Sequence, residues 1–196
     1  DGNITKDEAN AFYQAMAKPG DTTPPSYGLN SKLVKRDGKI EEEVYKIGGK
    51  YGNTLKVIVG HLKSAKEFAE NDAQRNYIEK LIEYYTTGDL KTWDEYNIAW
   101  VQETEGSVDF INGFVEDYND PLGRKGAWEG NVSYKDFEAS KRTKAISDNA
   151  QWFEDNSPID SRFKKSQVKG VIAKVINVAA LAGDSYPATP VGINLP

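Results

Sequence analysis

The sequence predicts a mainly α, α+β fold, and three observations carry that expectation. Apolar residues recur at helical spacing through the long stretch 53–101. The same spacing returns over residues 5–18 and 134–153. Strand signals are confined to residues 33–46 and 167–181 and do not alternate with helices, which argues against a doubly wound sheet.

Each element has a local reason. Thr5 followed by Glu8 three residues later is a capping-box signature, and Ala9, Phe12, Tyr13 and Met16 give the helix after it one apolar face. Pro19-Gly20 ends that helix, and a Pro-rich loop runs to Gly28. Asp37-Gly38 supplies a hairpin turn between Leu33-Val34 and Val44-Tyr45, although the run Glu41-Glu42-Glu43 is a weak strand former. Leu55, Ile58, Val59, Leu62, Ala65 and Ala69 form one helical stripe, and Tyr77, Ile78, Leu81, Ile82 and Tyr85 form the next. Gly88-Asp89 breaks the pattern before a third segment, 90–102, with Trp93, Tyr96, Ile98 and Trp100. Residues 107–115 read as a strand or a buried turn. Residues 134–153 read as one amphipathic helix closed by Asn156-Ser157-Pro158, and the β-branched content of 167–181 reads as a strand.

Composition removes several function classes. With 196 residues, 38% hydrophobic content, four Trp and eleven Tyr, the chain has what a folded core needs. The net charge of -5 and the lack of a basic block argue against nucleic acid as a partner. No apolar run approaches ~18 residues, so no helix is expected to span a membrane. There is no cysteine, which excludes disulfides and thiolate metal sites. The chain starts Asp1-Gly2-Asn3 without an initiator Met or leader and stops on Leu195-Pro196, so both ends read as cut. The compartment stays open, with the cytoplasm favoured.

Candidate chemistry is sparse. His61 is the only histidine, and a peptidase zinc needs several nitrogen, sulfur or carboxylate ligands together, so His61 reads as a surface or packing residue. The residues from Asp1 to Glu8 copy the second half of an EF-hand loop without its first half, and a helix cap explains them better. Asp109, Glu116 and Asp117 cluster among aromatics; Glu116 reads as structural, and the glycines between Gly113 and Gly130 read as turn positions. The four Trp read as core residues.

The block from Gly113 through Phe114, Glu116, Tyr118, Asp120, Pro121, Gly123, Gly126, Glu129 and Gly130, taken with Gly192-Ile193-Asn194-Leu195-Pro196, resembles the dipeptidyl-peptidase III family of zinc metallopeptidases, M49. The likeness is collinear over nearly the whole chain. It implies a two-lobed peptidase: one helical lobe carries zinc, and the other contains a small β-barrel whose edge strand receives the peptide. On that resemblance Gly192 and Asn194 are peptide contacts, and Asp109 is the carboxylate that meets the substrate's amino group. Ile111 stands where the family has a tyrosine that helps polarise the scissile carbonyl; either another donor such as Asn112 assists, or the oxyanion is managed differently. The family's His-Glu-X-X-Gly-His is absent, so Zn belongs to the full-length parent only, and the isolated chain is expected to be inactive. The whole, residues 1–196, is then a single partial region of a larger peptidase. Residues 1–130 supply the helical and strand part of the substrate-binding lobe, 131–166 a helix reaching toward the other lobe, and 167–196 strands including the docking segment. The implied partners are short peptides and the remainder of the parent. The alternative is a non-catalytic helical binding or interaction domain.

Overall fold

Side-chain caps set most helix boundaries in the computed structural model, which describes residues 2–169 and 174–187. Helix α1 (Lys6–Met16) starts at Thr5, whose hydroxyl accepts from the Glu8 N–H while the Glu8 carboxylate accepts from the Thr5 N–H, the complete capping box. Strands β1 (Ser31–Arg36) and β2 (Lys39–Val44) form an antiparallel hairpin. Its turn holds Asp37 and Gly38 at φ 49° and 77°, the left-handed pair that a two-residue hairpin loop requires. The glutamate run is accommodated by alternation. Glu41 and Glu43 pair with Arg36, while Glu42 turns inward to accept from the Tyr13 and Ser31 hydroxyls.

Three helices follow: α2 (Gly52–Lys66), α3 (Asp72–Thr87) and α4 (Leu90–Gln102). Asn71 caps α3 by accepting from the Gln74 N–H, and Gly88 closes it in a left-handed conformation. Asp89 then caps α4. Leu55, Val59 and Leu62 pack on Tyr77, Ile78, Leu81, Tyr84 and Tyr85, and on Trp93, Tyr96 and Ala99, forming the main core. The Trp93 ring stacks on Tyr96 with centroids 5.0 Å apart and packs on Tyr84 at 4.8 Å. Ile98, read as part of the stripe, is exposed instead.

Residues 107–115 are a strand, β3 (Val108–Phe114). It pairs antiparallel with β4 (Trp128–Lys135), which pairs in turn with β5 (Ile176–Gly183). The expected helix over 134–153 is shorter: Tyr134 and Lys135 belong to β4, Asp136 is an N-cap, and α5 (Phe137–Asp148) breaks at Asn149 before α6 (Ala150–Asn156). The last strand begins at Ile176 rather than at 167. Trp152 on α6 is 59% exposed, so it is not a core residue.

The outer edge of β3 lies against α3. Glu70 accepts from the Ser107 and Val108 N–H groups, and Gln74 Nε2 donates to the Val108 carbonyl at 2.9 Å. Phe110 packs edge-on against Tyr77, and Asn112 is bonded by Tyr85. Gly113 lies flat on the Trp93 indole, where a Cβ would overlap the ring. Below the turn 115–127, the Lys125 ammonium donates to Tyr13, to the Gly28 carbonyl and to Ser31, tying that turn to α1 and the hairpin. Burial pushes its pKa down to about 8.

Two glycine substitutions separate close approach from propensity. Gly113→Ala should lower unfolding stability by about 1–3 kcal/mol through overpacking on Trp93. Gly60→Ala, mid-helix in α2 with open space around it, should raise stability by about 1 kcal/mol. Urea or thermal unfolding of both variants checks the opposite signs.

Candidate functional site

The register of the three-stranded sheet puts polar groups on its sheltered face. Asp109 faces Ser133, Ile111 faces Asn131, and Gly113 faces Glu129, so these six residues share one side. Glu129, Asn131 and Ser133 are buried, Glu129 to 2% exposure, whereas Val132 and Tyr134 on the other side are 40% and 50% exposed. The strand is inside-out relative to an ordinary half-buried strand. Its polar side floors a groove of 620 Å³ lined by Trp100, Asp109, Ile111, Asn131, Ser133 and Lys174, among others.

Asp109 accepts from Trp100 Nε1 at 2.9 Å and from the Phe110 N–H at 2.8 Å. Burial raises its pKa, opposed by those two donors and by the charge of Lys174. Asn112 lies on the opposite face of β3. Its Oδ1 accepts from the Tyr85 hydroxyl, which accepts in turn from Trp128 Nε1 at 3.0 Å. That relay joins β3, α3 and β4, so the structure does not bring Asn112 together with Asp109. Gly192 and Asn194 lie outside the described residues. His61 is on the exposed side of α2.

An acidic cluster that sequence reasoning missed sits at the start of β4. Glu129 Oε2 accepts from the Ser185 hydroxyl at 2.6 Å, and its Oε1, also buried, has no hydrogen-bond partner. Pairing of Glu129 with Gly183 delivers Asp184 and Ser185 to this place. Gly183, at φ 63°, lies so close to the Trp128 carbonyl that a Cβ there would overlap it, so only glycine allows the approach. Burial raises the Glu129 pKa, and the neighbouring charges of Glu116 and Asp184 raise it further. The Tyr118 hydroxyl donates to Asp184 at 3.2 Å, and the carbonyl of Glu116 accepts from the Ala127 N–H. The signal in the sequence was the alternation of Glu129, Asn131 and Ser133, whose partners arrive only from distant β5.

Among the described residues, no group of three or more His, Cys, Asp or Glu is arranged to hold a metal ion. With one histidine and no cysteine in the sequence, these residues do not fit a catalytic zinc.

A bundle of helices bearing a small antiparallel sheet, with a groove on the sheet's sheltered side whose wall carries Asp109, Glu103, Lys169 and Lys174, defines an α+β protein. The family model for peptidase family M49 matches residues 3–196, and the chain belongs to that family. Dipeptidyl peptidase 3 of Dictyostelium discoideum is 31% identical over 147 residues, covering 75% of this chain and 21% of the relative. Dipeptidyl peptidase 3 of Mus musculus is 28% identical over 196 residues, covering 98% of this chain and 26% of the relative. The solved structure of DPP III from Caldithrix abyssi superposes with a TM-score of 0.73 at 23% identity, covering 94% of this chain and 34% of that one; it shows the shared fold. The chain thus spans about a fifth to a quarter of the length of these curated relatives.

Glu129 carries a pH signature with a definite sign. Its carboxyl titrates above the ordinary value of 4.5, so over the interval between the two values the folded state holds a proton that the unfolded chain has released. Stability from this group is full below pH 4.5 and is lost as pH rises through the folded value. Glu129→Gln keeps a partner for Ser185 and removes the ionisation. The variant should melt higher than the native chain at pH 7, with the gap closing below pH 4.5, as read by thermal unfolding across pH.

Proposed function

We propose that this chain is the peptide-binding part of a zinc-dependent dipeptidyl peptidase, and that the whole enzyme releases dipeptides from the amino termini of short peptides. Membership of the M49 family supports the class of reaction. The observation that carries the role of this portion is the free, buried Oε1 of Glu129 beside Glu116 and Asp184. A peptide's amino terminus is an ammonium with three N–H donors, and a desolvated carboxylate oxygen with no other partner is its complement.

The groove also sets the peptide's course. Asp109 lies four strand positions from Gly113, the partner of Glu129, or about 13 Å at strand rise. One ammonium cannot reach both. Asp109 stands in the wall of the groove, where an extended peptide would pass it. Tyr118, exposed beside Asp184, donates its hydroxyl proton there and can accept from a peptide N–H. Gly192 and Asn194 remain proposed contacts for the peptide backbone, and Asn112 contributes through the relay that holds β3 on α3. Zinc, which would supply the activated water, and its ligands would come from the rest of the parent enzyme. The residues of this chain bind and orient. Residues 131–166, with α5 and α6, would reach toward the zinc-bearing lobe.

Calorimetry with the 196-residue chain tests the binding role. A tetra-alanine amide with a free amino terminus should bind, and its acetylated form should bind about 10–100-fold more weakly, the value of one charge-assisted contact. Glu129→Gln should weaken the free-amine peptide by a similar factor. Equal affinity for both peptides would sink the assignment. For the parent reading, full-length protein with zinc should hydrolyse a dipeptidyl-arylamide and the 196-residue chain should not; activity in the short chain would overturn it.

A further inference from the structure

A second pocket lies apart from the groove, where β3 finishes and β4 begins. Its 390 Å³ are walled by Tyr45, Tyr51, Leu55, Ile58, Phe114 and Trp128, and it shares no lining residue with the groove. Phe114 and Trp128 are paired neighbours on β3 and β4. The Tyr45 ring stands between two others, its centroid 5.0 Å from that of Phe114 at 48° and 5.0 Å from that of Tyr51 at 61°. The Trp128 indole is held by its hydrogen bond to Tyr85. Tyr45, Phe114 and Trp128 are thus fixed before any ligand arrives.

Tyr51 is the exception among the four rings. Its backbone stands at φ 59°, in the left-handed region that a residue with a side chain adopts at a cost. The surrounding loop is otherwise built from Gly48, Gly49 and Gly52, for which such freedom is ordinary. Burial does not repay the strain, because Tyr51 is 54% exposed. A strained aromatic residue, half uncovered at the edge of a pocket, is placed to close on a further group.

The lining limits what that group can be. No charged side chain takes part, and an ion drawn inside would lose its hydration without gaining a partner. A cation would also meet Lys50, whose ammonium already stands 5.0 Å from the Tyr51 centroid. The tilts of Tyr51 and Phe114 against Tyr45 suit an inserted ring instead, since aromatic pairs favour edge-to-face and offset contact. A neighbouring cavity of 460 Å³ shares Tyr51 and Thr54 with the pocket and is lined by Gly48 and Gly49. Among the described residues Gly48 makes no backbone hydrogen bond, so its N–H and C=O are open to another peptide group.

We propose that the four-ring pocket receives the aromatic side chain of a peptide segment, whose adjoining peptide group bonds to Gly48. The site is separate from the groove and does not depend on the role given to Glu129.

Titration of the 196-residue chain followed by amide and indole NMR tests it with four probes. N-acetyl-tyrosinamide should shift the signals of Tyr51, Thr54 and the Trp128 indole. It should bind roughly fivefold tighter than N-acetyl-leucinamide, the worth of an aromatic pair. Free p-cresol, the bare side chain, should bind more weakly than N-acetyl-tyrosinamide, and tetramethylammonium should leave these signals unmoved. Tyr51→Gly suits the left-handed backbone, so its melting temperature should hold or rise while N-acetyl-tyrosinamide binds roughly fivefold more weakly. Tyr51→Phe keeps the ring and should keep the affinity. Equal binding of the leucine and tyrosine amides would reduce the pocket to an unselective apolar surface and overturn the proposal. Binding of tetramethylammonium at these signals would make it a cation site, and tighter binding of p-cresol would assign it to a free small molecule; either overturns the peptide assignment. Full affinity in Tyr51→Gly would do the same.

Discussion

A strand edge inside a protein carries unpaired N–H and C=O groups, and burying them bare costs several kcal/mol. The outer edge of β3 meets that constraint on α3, and the sheet is placed accordingly. Glu70 and Gln74 satisfy its first residues, and the Trp128–Tyr85–Asn112 relay fastens it again four positions later. Between these points Phe110 packs on Tyr77, and beyond them Gly113 rests on Trp93. With β3 held this way, β4 and β5 project from the helices, and Asn131 and Ser133 of β4 become the groove floor. The aromatic content of α3 and α4 is thus a platform for the sheet as well as a core.

Glu129 shows how burial and pairing divide the work within one carboxylate. Ser185 holds its Oε2 and leaves Oε1 without a partner, so the group keeps one orientation. Glu116 and Asp184 add negative charge without neutralising it. In the groove itself Lys174 sits close to both Asp109 and Glu103, so charges of both signs meet there.

Local signals were legible in the sequence; long-range ones were not. The Thr5–Glu8 capping box, the Asp37-Gly38 turn and the helices α2, α3 and α4 depend on residues a few positions apart, and they appear in the structure, with Ala65 and Ile98 turned to solvent. β4 escaped notice because alternation is usually read with the apolar side inward, and here Val132 and Tyr134 face out. The same inversion extended the expected helix backward into Tyr134 and Lys135. Trp152 was read as core from its type alone, while its position on α6 leaves it exposed. Asp109 was named from the resemblance alone, whereas the Glu129 cluster required the register of β4 with β5, fifty residues later. No spacing rule contains that pairing.

The inverted polarity of β4 separates two demands that compete in most strands. The rings of α3 and α4 carry the hydrophobic burial that holds the fold, so the side chains of Asn131 and Ser133 contribute little of it. Substitutions at those positions can reshape the groove floor without drawing on the stability of the core. A lineage carrying this strand is free to vary that floor, provided Gly113 stays small enough to lie on Trp93 and Gly183 stays small enough to bring Ser185 to Glu129.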